Sequence, residues 1–291
     1  MQNRLGVYYA YLAESDTVDW LSSLQRAKAA GLAILEVSAP RMRLLTPQAR
    51  WEVADHAARL GLGLTFATAL TPATDVSSDS AAIRAAGAKQ LTEDIRMVRG
   101  MGGTALGGIL TGVGKHFPNG IERTRHAAVM RAAETLREVA RAAEGEGVNL
   151  GVEVVNRFES PLVNTCAEGL AVAEAVGSSR LGVHLDTFHM NIEEADIPAA
   201  IRLAGDKLIH FHACENDRSL PGHGHIDWAA VFAALRGIGY GGPIVMESMT
   251  GPVAGFAGRL NIWRTLHRDV DGDLAAATRF LKERMASDHV V

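Results

Sequence analysis

The chain has 291 residues, of which 47% are hydrophobic, 5% aromatic and 21% charged, and its 29 basic and 33 acidic side chains leave a formal charge of −4. That balance excludes a dedicated nucleic-acid or anionic-membrane binder, which needs a cationic surplus. No run approaches the roughly 18 apolar residues of a membrane span. The N-terminus shows no apolar leader, and Cys166 and Cys214 form no Cys-x-x-Cys pair, so a reducing, cytoplasmic setting is expected.

In chain order, short β-branched or aliphatic runs alternate with longer amphipathic stretches. Strand 5–9 precedes a helix over 18–30, strand 33–38 one over 47–60, strand 63–68 one over 81–99, and strand 105–109 one over 123–144. The second half repeats the scheme, with strand 150–155 and helix 166–176, strand 181–186 and helix 197–203, strand 207–212 and helix 228–237, then strand 243–247 and a last helix over 272–285. Asp16, Ser80, Asn164 and Asp227 stand where N-caps belong, and Gly31, Gly61, Gly100 and Gly239 where left-handed C-caps belong. Eight strand–helix units without a linker predict a single (β/α)8 TIM barrel over 1–291, with an open doubly wound sheet as the alternative. The first strand runs into Tyr8-Tyr9-Ala10-Tyr11 rather than a glycine turn, which disfavours that alternative. Gly114-Lys115 is no phosphate loop, because His116 stands where Ser or Thr is required.

The last four strands carry the chemistry. Glu153 lies in Leu-Gly-Val-Glu-Val-Val-Asn-Arg-Phe-Glu, followed by Arg157 and Glu159. Next come His184, Asp186 and His189 in Leu-Gly-Val-His-Leu-Asp-Thr-Phe-His, His210 and His212 in Leu-Ile-His-Phe-His, and Glu247 in Pro-Ile-Val-Met-Glu. A carboxylate in an apolar strand is costly unless paired or metal-bound. Glu153, Asp186, His212 and Glu247 recur about one βα unit apart, which brings them together on the C-terminal rim of a closed barrel. Three carboxylates and one imidazole suit Mn²⁺, Mg²⁺ or Co²⁺ better than a structural zinc. The competing reading is a buried ion-pair network with Arg157 and Arg218. His184 and His210 share their neighbours' inward face and read as core or ligand-orienting histidines.

These stretches resemble the ketose 3-epimerases (D-tagatose and D-allulose, or D-psicose, 3-epimerases) of the sugar isomerase/epimerase barrels. The likeness is densest over Glu153–Glu159, Leu185–Glu194, His210–His212 with Glu215–Arg218, and Val245–Glu247, and it extends from Gly-Val-Tyr-Tyr-Ala-Tyr to Ile262-Trp263-Arg264. The resemblance implies an Mn²⁺- or Co²⁺-dependent isomerase with Glu153, Asp186, His212 and Glu247 as ligands of one ion and Glu153 and Glu247 as the catalytic pair. It also implies Glu159, His189 and Arg218 as contacts to the carbonyl end of a ketohexose or ketopentose, in a homodimer or homotetramer.

Inverting C3 of a ketose removes a proton beside the C2 carbonyl and returns one to the opposite face through a cis-enediolate. A divalent ion stabilises that charge, while two carboxylates divide the proton transfers. The chain departs from the family pattern at Cys214, Asp217 and Ser248-Met249 and in the loop from Gly107 to His116, which lacks a tryptophan. The segment from Ser248 to Arg268 reads as a lid or an interface. An aldose–ketose or hydroxypyruvate-type isomerase on the same metal site is the alternative. A phosphodiesterase would want more histidines and a basic face, and a Schiff-base aldolase a rim lysine, whereas Lys207 opens strand seven at the opposite end.

Overall fold

Aliphatic runs become strands here because both their faces are covered, one by the barrel interior and the other by helices. In the computed structural model, which describes residues 1–251 and 261–287, these strands are β1 (Leu5–Tyr8), β2 (Ile34–Ser38), β3 (Gly63–Thr68), β4 (Ala105–Gly108), β5 (Asn149–Glu153), β6 (Leu181–Asp186), β7 (Leu208–Ala213) and β8 (Ile244–Met246). Each pairs in parallel with its sequence neighbours and β1 pairs with β8, so the sheet closes into a (β/α)8 barrel. The open-sheet alternative is excluded.

The helices are α1 (Tyr9–Leu12), α2 (Trp20–Ala29), α3 (Ala39–Arg43), α4 (Pro47–Arg59), α5 (Ala81–Gly100), α6 (Ile121–Glu146), α7 (Cys166–Val176), α8 (Thr187–Glu193), α9 (Ile197–Ala204), α10 (Trp228–Gly237) and α11 (Val270–Ala286). The expected long helices are present, whereas α1, α3 and α8 are short rim helices that begin directly after their strands. Caps shift slightly. Asp19, not Asp16, accepts the Ser22 N–H at the start of α2, and Thr165, not Asn164, forms a capping box with Glu168 on α7. Asp227 caps α10 as expected, while Ser80 precedes α5 without a side-chain bond. Gly31, Gly61 and Gly239 are left-handed; Gly100 stays helical, and Gly102 takes that role at φ 78°.

Strand side chains alternate, so residues i and i+2 share the barrel interior. The β6–β7 register sets His184 beside His210 and Asp186 beside His212, and the β5–β6 register sets Glu153 beside His184. On β4, a Cβ at Gly107 would lie 2.8 Å from His184 Nδ1, so the imidazole occupies the space that this strand leaves empty. The interior on this side is therefore filled by imidazoles rather than by the branched aliphatics usual in such barrels. Of the segment expected as a lid or interface, residues 252–260 lie outside the described residues; flanking them, the carbonyl of Thr250 accepts the N–H groups of Leu266 and His267. Among the described residues no helix is long and apolar enough to cross a membrane.

Candidate active site

The last four strands each deliver one side chain to the same end of the barrel. Glu153 ends β5, Asp186 ends β6, His212 lies on β7, and Glu247 follows β8. One ligand atom from each falls within 4.8 Å of all the others. His212 Nδ1 is at the centre, 3.4 Å from Glu247 Oε2, 3.7 Å from Asp186 Oδ2 and 3.9 Å from Glu153 Oε1. It is buried without a hydrogen-bond partner, as expected of a nitrogen that turns its lone pair to a cation. Two like charges about 4 Å apart repel by ~4 kcal/mol at a surface-like dielectric. Three carboxylates around one point therefore need positive charge.

Arg218 supplies part of it. Its Nη1 lies 2.6 Å from Glu247 Oε2 and 2.9 Å from Asp186 Oδ2, and its guanidinium covers the Phe188 ring at 4.1 Å. The residue is left-handed at φ 69°, in a turn where its N–H donates to the Glu215 carbonyl. Glu215 in turn accepts from the Trp228 indole and the Gly222 N–H, each at 2.7 Å. The ion-pair network suggested by the sequence is thus half present, because Arg157 instead pairs with Glu193 at 2.8 Å, outside the quartet. One guanidinium against three carboxylates leaves room for a divalent ion, and oxygen-rich donors with one imidazole fit Mn²⁺, Co²⁺ or Mg²⁺.

The environments of the two glutamates shift them in opposite directions. Burial, followed by the charge on Glu247, pushes the Glu153 carboxyl well above the usual range. Burial would raise Glu247 too, but the Arg218 guanidinium and His212 overcome it and hold its carboxyl at about 2. Two carboxyls pushed in opposite directions thus face the same space.

A model of the xylose isomerase-like TIM barrel family matches residues 24–278. Over 273 residues, 91% of this chain and 89% of the relative, the sequence is 37% identical to an L-ribulose 3-epimerase of Mesorhizobium japonicum. It is 34% identical to a D-psicose 3-epimerase of Enterocloster bolteae over 96% of this chain and 95% of that one. The chain belongs to the ketose 3-epimerases of this family. It is an enzyme of the isomerase class. The crystal structure of the D-psicose 3-epimerase from Clostridium cellulolyticum H10 with D-tagatose superposes with a TM-score of 0.92 at 30% identity, covering 98% of this chain and all of that one.

The epimerase has a cavity of about 220 Å³ over the quartet. Glu153, Glu247, His189, Arg218 and Glu159 line one wall, and Tyr8, Ser38, Ala67, Thr68, Gly108 and Ile109 the other. His189 is buried, with Asn156 donors on Nδ1 and Arg218 Nη2 3.0 Å from Nε2. Burial and then the Arg218 charge lower its pKa to about 3, so the ring stays neutral. Glu159 is half-buried, its pKa raised by burial against the pull of Lys115, whose Nζ lies 3.5 Å away. Lys115 corrects the expectation that no lysine stands near the rim; it is not among the residues lining the cavity. A second groove of about 490 Å³ adjoins the first past Phe158, Phe188, Ile192 and Trp263, sharing Glu159 and Arg218 with it.

The sequence reading passed over Glu36 on β2. It is fully buried, and its Oε1 lies 2.7 Å from His212 Nε2, its Oε2 2.6 Å from His210 Nε2 and 2.8 Å from the Thr65 hydroxyl, which donates to it. The available signal was an acid between apolar neighbours in Ile-Leu-Glu-Val, the same pattern that singles out Glu153. Several histidines stand apart. His223 packs edge-on against His267, and His225 Nε2 meets the Asn191 side chain at 3.0 Å. Cys214 is buried with its Sγ 3.0 Å from the Glu247 carbonyl, and burial pushes its thiol up, so it serves as packing.

Proposed function

We propose that the enzyme inverts C3 of a free ketose, with Glu153 and Glu247 as its acid/base pair and Glu153, Asp186, His212 and Glu247 as the ligands of one divalent ion, Mn²⁺ or Co²⁺ before Mg²⁺. The convergence of one ligand atom from each of these four side chains carries the reading. When bound, such an ion supplies Lewis-acid polarisation of the sugar carbonyl and neutralises charge that develops on its oxygens.

The protein's own groups divide the remaining work. The glutamate that is charged takes the C3 proton, and the other, protonated, returns one to the opposite face. Environments that push two carboxyls apart in pKa favour this one-charged, one-neutral state, and reversal of the roles serves the epimeric substrate. Arg218 and His189, which meet each other beside the quartet, offer donors to the carbonyl end of the sugar, and Glu159 accepts from a hydroxyl there. Burial of the site keeps water from competing for these bonds.

A cavity of about 220 Å³ suits one monosaccharide, and D-tagatose, D-allulose, D-fructose and L-ribulose form the substrate panel. Incubation of each ketose with the manganese-loaded enzyme in D2O should place one deuterium at C3 of the product and yield the C3 epimer. Deuterium at C1 or C2, with an aldose as product, would replace epimerisation by aldose–ketose isomerisation.

A further inference from the structure

We propose that Glu36 is a positioning residue that sets the metal affinity of the site, by holding His212 with its Nε2–H on the carboxylate and its Nδ1 toward the quartet; this rests on the metal reading given above. An imidazole can turn either nitrogen to a cation, and the choice is made by what the other nitrogen meets. Here Nε2 meets Oε1 of Glu36 at 2.7 Å, a partner that only accepts, so Nε2 carries hydrogen and the ligand atom is Nδ1. Glu36 comes from β2, across the barrel from β7, and reaches His212 through the interior.

The carboxylate cannot swing away. Its second oxygen takes the Thr65 hydroxyl at 2.8 Å and lies 2.6 Å from His210 Nε2. The His212 ring is also held edge-on against His184, with centroids 4.0 Å apart and planes at 88°. A hydrogen-bonded carboxylate behind a ligating imidazole raises its basicity as well as fixing its direction. His184, His210 and His212 also lie close enough to suggest a second, deeper ion. Glu36 already engages two imidazoles and one hydroxyl, which favours positioning over ligation.

Calorimetric titration of the metal-free full-length protein with MnCl2 and CoCl2 tests this. The unaltered protein should bind one ion per chain, and Glu36→Gln should bind it about 10- to 100-fold more weakly. The visible spectrum of the Co²⁺ form should change, and kcat should return toward that of the unaltered enzyme at saturating Mn²⁺. A purely structural role would instead lower the melting temperature of the metal-free variant and leave its Kd unchanged, which overturns the proposal. Two ions per chain, with the second lost in Glu36→Gln, would make Glu36 a ligand and overturn it as well. Absence of binding to the unaltered protein would remove the metal reading and this inference together, whereas binding there with an unchanged Kd in the variant removes this inference alone. Should Glu36→Gln fail to fold, Thr65→Val removes one hydrogen bond from the same carboxylate and should weaken binding about threefold; an unchanged Kd there overturns the proposal.

Discussion

The two halves of the barrel rim are built on opposite principles. From β5 to β8 it presents Glu153, Asp186, His212 and Glu247, crowded enough to need an added cation. From β1 to β4 it presents Tyr8, Ser38, Ala67, Thr68 and Gly108, neutral groups of which all but the tyrosine are small. A charged wall does chemistry on whatever lies against it, and a neutral wall leaves volume for the rest of the molecule. The contrast also locates the one exception, since Glu36 is the charge that the neutral half sends below the floor of the cavity.

The sharpest way to break this comparison is to remove charge from the charged half. Glu153→Gln and Glu247→Gln should each lower kcat about a thousandfold in both reaction directions, measured by product ratio from each epimer. Near-normal turnover by either variant would remove the two-carboxylate mechanism.

A smaller effect should follow from pH. His189 is neutral in the folded chain down to about pH 3, whereas the unfolded chain protonates it below about 6.5. The unfolded state therefore binds more protons in that interval, so stability is present above 6.5 and lost as pH falls toward 3. Between pH 7 and 5 this group should cost about 2 kcal/mol, seen in urea titrations of the metal-free protein. His189→Gln should lack that component; an identical pH dependence would show that the ring charges freely in the fold.

The smallest effect belongs to the neutral half. Thr68 lines the cavity while its hydroxyl donates to the buried Asp94 at 2.8 Å, and Asp94 also receives Arg43 at 2.6 Å. Thr68→Val should cost about 1 kcal/mol of stability and leave kcat within a few-fold, with any change falling on KM. A collapse of kcat would make the neutral wall part of the chemistry.

Much of this architecture was legible in the chain. Strands covered on both faces read as plain apolar runs, so β3 and β6 match their expected limits, and Cys166–Val176 and Trp228–Gly237 match as helices. The recurrence of Glu153, Asp186, His212 and Glu247 sufficed to bring four strand ends together. The rim helices α1, α3 and α8 were not legible, because four to seven residues hold no helical period. Nor was the left-handed Arg218, since Asp217-Arg218-Ser219 contains no glycine and its conformation follows from the turn anchored on Glu215. Glu36 escaped because its partner is 176 residues away across a closed barrel, a distance that strand order gives only after the barrel is drawn.

The bare backbone of Gly107 links a silent position to the reaction centre. A methyl group there would collide with the His184 ring, whose edge steadies His212. Random mutagenesis that samples this codon would therefore perturb cation loading without altering any group that meets the sugar, and clones lost from such a library would report on ring stacking rather than on substrate fit.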